Sequence, residues 1–267
     1  MGIAYLGIGT GGAIVPILAT TLERNLGWQH ALSVLGVFII IIAFPMAFFI
    51  KDKSNHRREK RSEDAPVKMK NILKNPNFYL LAFGSMCSIG AVGGIGQHLK
   101  LYLTDFEFSQ SQSANIFSIV LLSSLAGRVL MGWLADIINR KYVMMLIYLI
   151  VAVAIIILFL PPFPGKIYFF AMIFGVGLGG DYMIIPLMAG DLFGVKALGR
   201  TMGIILVADG IAESLFPVLV GALRDKMGNY SLGFTVLIVL ALAGLIVISF
   251  LPKVKQVYAK SKMVEHS

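Results

Sequence analysis

The chain has 267 residues, 57% of them hydrophobic and only 14% charged, with a formal net charge of +9. Soluble domains seldom exceed about half apolar, with about a quarter charged, so this composition excludes an ordinary soluble enzyme. The positive charge gathers in polar stretches between apolar runs, where membrane proteins place it, and so implies no nucleic-acid partner.

Apolar runs of about twenty residues, each long enough to cross a bilayer as a helix, recur along the chain and predict an all-α polytopic membrane protein embedded in a lipid bilayer. Eight spans are read: Gly2 to Leu22, Ala31 to Ile50, Phe78 to Leu103, Ala114 to Ala135, Val143 to Leu160, Ile167 to Ala189, Gly199 to Leu223 and Leu232 to Leu251. Met1 runs straight into Gly2-Ile3-Ala4-Tyr5 without a basic n-region, so no cleavable signal peptide is expected. A polar stretch, Lys51 to Asn75, follows the second span. It reads as a linker with one interfacial helix near Val67 to Leu73. Basic residues crowd this stretch. By alternation they share a side with Arg140, Lys141, Lys196, Arg200 and the tail lysines, against Arg24, Lys166, Arg224 and Lys226 opposite. The positive-inside rule then puts both termini in the cytoplasm, with the protein in the cytoplasmic membrane.

Gly7-x-Gly9-x-x-Gly12 and Gly175-x-Gly177-x-x-Gly180 have the spacing of a dinucleotide fingerprint. That fingerprint needs a strand before it and a helix opening at it, and both patterns fall inside predicted spans. Close helix packing through small residues is the reading adopted, with Gly7/Gly11 and Gly90/Gly94 as further i, i+4 pairs. Pro16, Pro186 and Pro217 are expected to break their helices. The single cysteine, Cys87, permits no internal disulfide and no thiolate metal site. No cofactor or metal motif, hydrolase elbow or P-loop is present.

Ionisable groups at membrane depth are costly and mark function by default. Arg128 sits mid-span in the fourth helix, and Asp181, followed by Tyr182, in the sixth. Asp209 and Glu213 in the seventh are four apart and share a face. Two carboxylates that close resist joint ionisation, so one holds a proton more readily. A protonatable carboxylate beside a cation is the minimum for proton coupling. The alternatives are structural: Arg128 locked to Asp209 or Glu213, Asp181 capping a helix break, His98 as a bonded interior histidine, Lys100 snorkelling to the interface. Arg128, Asp181, Tyr182 and His98 are the candidate substrate-binding residues, and Asp209 and Glu213 the candidates for proton coupling or charge pairing.

Gly132-Trp133-Leu134-Ala135-Asp136, followed by Arg140-Lys141, resembles the loop signature of the major facilitator superfamily, with Ile137 and Asn139 departing from it. Gly127-Arg128 resembles the eighth helix of the monocarboxylate-transporter and oxalate/formate-antiporter branch, and Gly27-Trp28 a turn of the same family. The resemblance implies two six-helix bundles joined by a cytoplasmic loop, of which the chain would hold spans five to twelve. Residues 1–50 are then the last two spans of the N-terminal bundle, 51–76 the central loop, 77–252 a complete C-terminal six-helix bundle and 253–267 a cytoplasmic tail. It implies a secondary transporter, not an enzyme, acting by alternating access on a small-molecule substrate, an organic anion such as a monocarboxylate held by Arg128, as a proton symporter or an anion antiporter. Gly132, Asp136, Arg140, Lys141 and Arg200 would form a cytoplasmic gate or latch. Ser124, where monocarboxylate transporters carry an aspartate, and the acids Asp209 and Glu213, where the oxalate exchanger carries a lysine, leave a cation or neutral polar solute as alternatives. So is a truncated, non-transporting fragment, or a subunit whose partner supplies the missing N-terminal helices.

Overall fold

The computed structural model describes residues 21–49, 69–161 and 163–253, together with 11, 15, 18 and 19. These divide between two compact units, the first drawn from residues 7–67 and the second from residue 68 onward. The first unit contributes one long helix, α1 (Trp28–Phe49), entered through Gly27. Gly27 has a φ of +76°, which suits a residue without a Cβ. Ile39, Ile40, Ile41, Ile42 and Phe44 are all exposed on α1. A helix apolar on every face belongs in lipid.

The second unit holds a short helix, α2 (Met69–Leu73), and six long ones: α3 (Pro76–Asp105), α4 (Gln110–Ile137), α5 (Arg140–Ile157), α6 (Lys166–Phe193), α7 (Leu198–Met227) and α8 (Ser231–Ser249). Local chemistry sets their ends. Asn75 caps α3, accepting from the Asn77 N–H ahead of Pro76 at the first helical position. Ser109 and Gln112 make a reciprocal capping box on α4. Asn139 caps α5 through the Lys141 N–H. Gly228, in the left-handed conformation, closes α7. Two lysines satisfy carbonyls that helix C-termini leave open. Lys166 Nζ donates to Leu158 and Leu160 O beyond α5, and Lys141 Nζ donates to Ser249 and Leu251 O, 2.6 Å each, at the end of α8.

The packing has an internal symmetry. α4 packs most extensively on α6, and α3 on α7; α5 lies on α6, α8 on α3, and α5 on α8. Exchanging α3-α4-α5 for α6-α7-α8 maps this set of contacts onto itself, as paired three-helix repeats require. α3 and α6 are the most buried helices of the unit. Glycines let the others close in. A Cβ on Gly127 would strike the Val176 carbonyl, one on Gly175 the Val120 carbonyl, and one on Gly179 the Ser124 carbonyl, so α4 and α6 touch backbone to backbone. Gly90 receives Phe216 and Leu240, and Gly94 receives Leu237.

Among the described residues, seven helices are long and apolar enough to span a membrane, the first counted from Thr21 to Met46. The expected span Gly2–Leu22 falls mostly outside the described residues, with Gly7, Gly9, Gly12 and Pro16. So do 51–68 of the expected central loop and 254–267 of the expected tail. One expectation is corrected. Pro186 and Pro217 sit inside uninterrupted helices, because packing on neighbours holds the backbone across them. The close packing expected of the α6 glycines is present: Gly175 and Gly179 meet α4, Gly177 faces Val151 of α5, and Gly180 sits between Met131 of α4 and Ile147 of α5.

Candidate functional site

The polar groups at membrane depth converge where α3, α6 and α7 meet. α3 carries Ser85 and Ser88, both fully buried and three residues apart, hence on one face. Ser88 Oγ donates to Asp181 Oδ2 on α6 at 2.7 Å. Ser85 Oγ donates to Asp209 Oδ1 on α7 at 2.7 Å. Asp181 is 0% exposed and Asp209 5%. Tyr148 of α5 adjoins the cluster. It is fully buried, its ring packs where Gly244 of α8 has no side chain, and it lies within electrostatic range of Asp181 and Asp209. Asp181 Oδ1 and the Tyr148 hydroxyl are buried without a hydrogen-bond partner.

Consecutive residues of α6 face apart. Asp181 points into the unit, whereas Tyr182 is 38% exposed and donates to Glu213 Oε1 on α7 at 3.2 Å. Gly93 of α3 makes room for Glu213: a Cβ there would come within 3.0 Å of Glu213 Cγ. Arg128 is 7% exposed on α4 and sits within electrostatic range of Tyr182. The helix pair i, i+4 thus sends Asp209 to a buried serine and Glu213 to an exposed tyrosine. Asp181 lies within an unbroken helix and takes a serine hydroxyl, in place of the expected helix-break cap.

His98 is engaged elsewhere. Its Nε2 lies 2.8 Å from Pro217 O and its Nδ1 3.4 Å from the Tyr230 hydroxyl, beside the ring cluster of Tyr102, Tyr230 and Phe234. That cluster borders a cavity of about 600 Å³, where Arg224 binds both oxygens of Asp105 at 3.0 and 3.1 Å and stacks over Tyr230. Lys100 is exposed at this end of α3, the position expected of a snorkelling lysine.

At the opposite end of the unit, Arg140 on α5 pairs with Asp191 on α6 and reaches Leu187 O. Lys141, expected in the same latch, is 8% exposed and serves as the cap of α8. Gly132 faces Met183 of α6 at 3.7 Å; Asp136 and Arg200 are exposed.

Ser85, Ser88, Tyr148 and Asp191 were not legible as site residues. The serines stand among small residues that read as packing, and Tyr148 among apolar neighbours that read as core. Among the described residues no three His, Cys, Asp or Glu side chains converge as metal ligands.

The comparisons with known proteins agree with this architecture. The chain is 24% identical to monocarboxylate transporter 12 of Xenopus laevis, over 87% of the chain and 56% of that protein. It is 23% identical to monocarboxylate transporter 10 of Homo sapiens, over 94% of the chain and 52% of the relative. An uncharacterized MFS-type transporter of Escherichia coli, YhjX, is 23% identical over 77% of the chain and 52% of its own length. The chain therefore spans about half the length of these curated relatives. The model of the Major Facilitator Superfamily matches residues 1–118 and 81–265, and the chain belongs to that superfamily of membrane transporters.

Proposed function

We propose that this chain works in secondary active transport of a small organic anion, such as a monocarboxylate, by alternating access with proton symport or anion exchange. The observation that carries the reading is Arg128: a guanidinium 7% exposed in the middle of a spanning helix, where charge is kept for a task. Its planar fork suits a carboxylate bidentately. Tyr182 beside it, tied to Glu213, supplies a hydroxyl and an exposed ring to orient the solute. The printed names of the relatives, monocarboxylate transporters 10 and 12, support the same solute class. Both termini are assigned to the cytoplasm by the basic loops. The Arg140–Asp191 pair is then a cytoplasmic latch, with Gly132 at the α4–α6 contact and the exposed Asp136 and Arg200 at the same end.

Thermal stabilisation of the purified protein by a panel of solutes tests the assignment, since a ligand that binds the folded state raises its stability by mass action. Short-chain monocarboxylates should raise the melting temperature of the parent and leave Arg128→Gln unmoved. The three acids Asp181, Asp209 and Glu213 favour a second reading, a cation or neutral polar solute. Stabilisation by such solutes, and not by carboxylates, would replace the first reading with the second.

A further inference from the structure

The cluster buried between α3, α5, α6 and α7 contains more acid than a carboxylate at the substrate face needs. Asp181 has no exposure, accepts one hydrogen bond, from Ser88, and keeps Oδ1 without a partner. Tyr148, equally buried, keeps its hydroxyl without a partner in the same neighbourhood. An ionised carboxylate in such a place needs several donors or a cation. A carboxylic acid needs fewer: the Ser88 hydroxyl already serves Oδ2, and the unpartnered Oδ1 is the oxygen left to carry a proton. The groups around Asp181 are hydroxyls and acids for the most part: Ser85 and Ser88 from α3, Tyr148 from α5, and Asp209 with Glu213 one turn on from α7. Ser124 comes from α4 at the Gly179 crossing, with Arg128 one turn along the same helix toward Tyr182.

We infer that Asp181 is a proton-binding site separate from the solute-binding face, carrying its proton on the unpartnered Oδ1 while Ser88 donates to Oδ2, with Asp209 as the neighbouring acid. One proton is taken up and the same proton is released; no other bond changes. The arrangement differs from coupling through the Asp209–Glu213 pair, because Glu213 bonds Tyr182 at the exposed face and Asp181 lies behind it. As the ion site of a transporter, this rests on the function proposed above. As a protonated buried acid, it stands alone.

Infrared difference spectra of the purified protein, recorded without any solute, separate the two. A protonated carboxylic acid gives a carbonyl stretch that an ionised one lacks. The parent should show this band at neutral pH. It should vanish in Asp181→Asn, remain in Asp209→Asn and shift in Ser88→Ala, which removes the hydrogen bond to Oδ2. Asparagine copies the shape of the neutral acid, so Asp181→Asn should melt within a few degrees of the parent. No band at neutral pH, or a band that survives Asp181→Asn, overturns the inference. So does a large loss of stability in Asp181→Asn, or stabilisation of the parent by sodium that this variant abolishes, since both require an ionised Asp181. If the band behaves as expected and no solute is transported, the proton site stands and the transport reading falls.

Discussion

Adding one methyl group to Gly179 tests the crossing on which the second unit is built. A Cβ there overlaps the Ser124 carbonyl oxygen and lies 2.7 and 2.9 Å from Ser124 C and Cα. The obstacle is backbone, so no rotamer change relieves it. Gly175 against Val120 and Gly127 against Val176 also meet backbone carbonyls in the same crossing, so α4 cannot slide along α6 to escape. Forcing an extra carbon into a packed interior costs about 1–3 kcal/mol. Alanine's helix preference over glycine, about 1 kcal/mol, acts the other way. Gly190 isolates that preference: it lies on the same helix, and a Cβ there meets nothing within 4 Å. At roughly 2–4 °C per kcal/mol for a domain of this size, Gly179→Ala should melt about 2–12 °C below Gly190→Ala. Gly190→Ala should match or exceed the parent. The chain provides its own probe, because Cys87 is its single cysteine and is 2% exposed. A thiol-reactive fluorophore therefore reports opening of this unit as detergent-solubilised protein is heated. A Gly179→Ala melting point at or above that of Gly190→Ala would refute the backbone-to-backbone crossing.

Three further outcomes follow from the geometry. Alanine substitutions along α3 should rank by what the new carbon meets: Gly90→Ala, which collides with the Phe216 ring, melts lowest, Gly93→Ala, 3.0 Å from Glu213 Cγ, lies between, and Gly96→Ala, with open space, is neutral. Lys141→Met removes the donor to Ser249 and Leu251 O; hydrogen bonds from a charged group contribute about 1.5–3 kcal/mol, so the melting point should fall and amide exchange rise at the end of α8. Arg140→Gln and Asp191→Asn should be non-additive in a double-mutant thermal cycle, with a coupling of about 1 kcal/mol, since the pair is partly exposed; strict additivity would remove the pair from the latch.

The spans were legible because a membrane helix announces itself by length and apolarity, and the ends of α3 to α8 fall within a few residues of the expected ones. The caps Asn75, Ser109 and Asn139 start α3, α4 and α5 ahead of the expected Phe78, Ala114 and Val143, because a polar first turn does not add to the apolar run. Which helices touch was less legible. Gly175, Gly177, Gly179 and Gly180 all look alike in sequence, and only the three-dimensional crossing distributes them between α4 and α5. The acids were found because a carboxylate in an apolar run stands out. Their partners were not, because Ser85 and Ser88 among glycines look like packing residues, and a helical face does not say which neighbour it meets. Lys141 read as part of a latch because it follows Arg140 in the loop signature. One residue is about 100° around a helix, enough to turn Arg140 toward Asp191 and Lys141 toward the end of α8.

The proposed function turns on Arg128 holding a small carboxylate during transport. The direct measurement is uptake of radiolabelled monocarboxylates into vesicles containing this chain, with an inward proton gradient, for the parent, Arg128→Lys and Arg128→Gln. The expected result is saturable uptake by the parent, weaker uptake by Arg128→Lys, which keeps charge but loses the bidentate fork, and none by Arg128→Gln. Uptake by Arg128→Gln equal to the parent, or parent uptake no greater than that of empty vesicles, would contradict it.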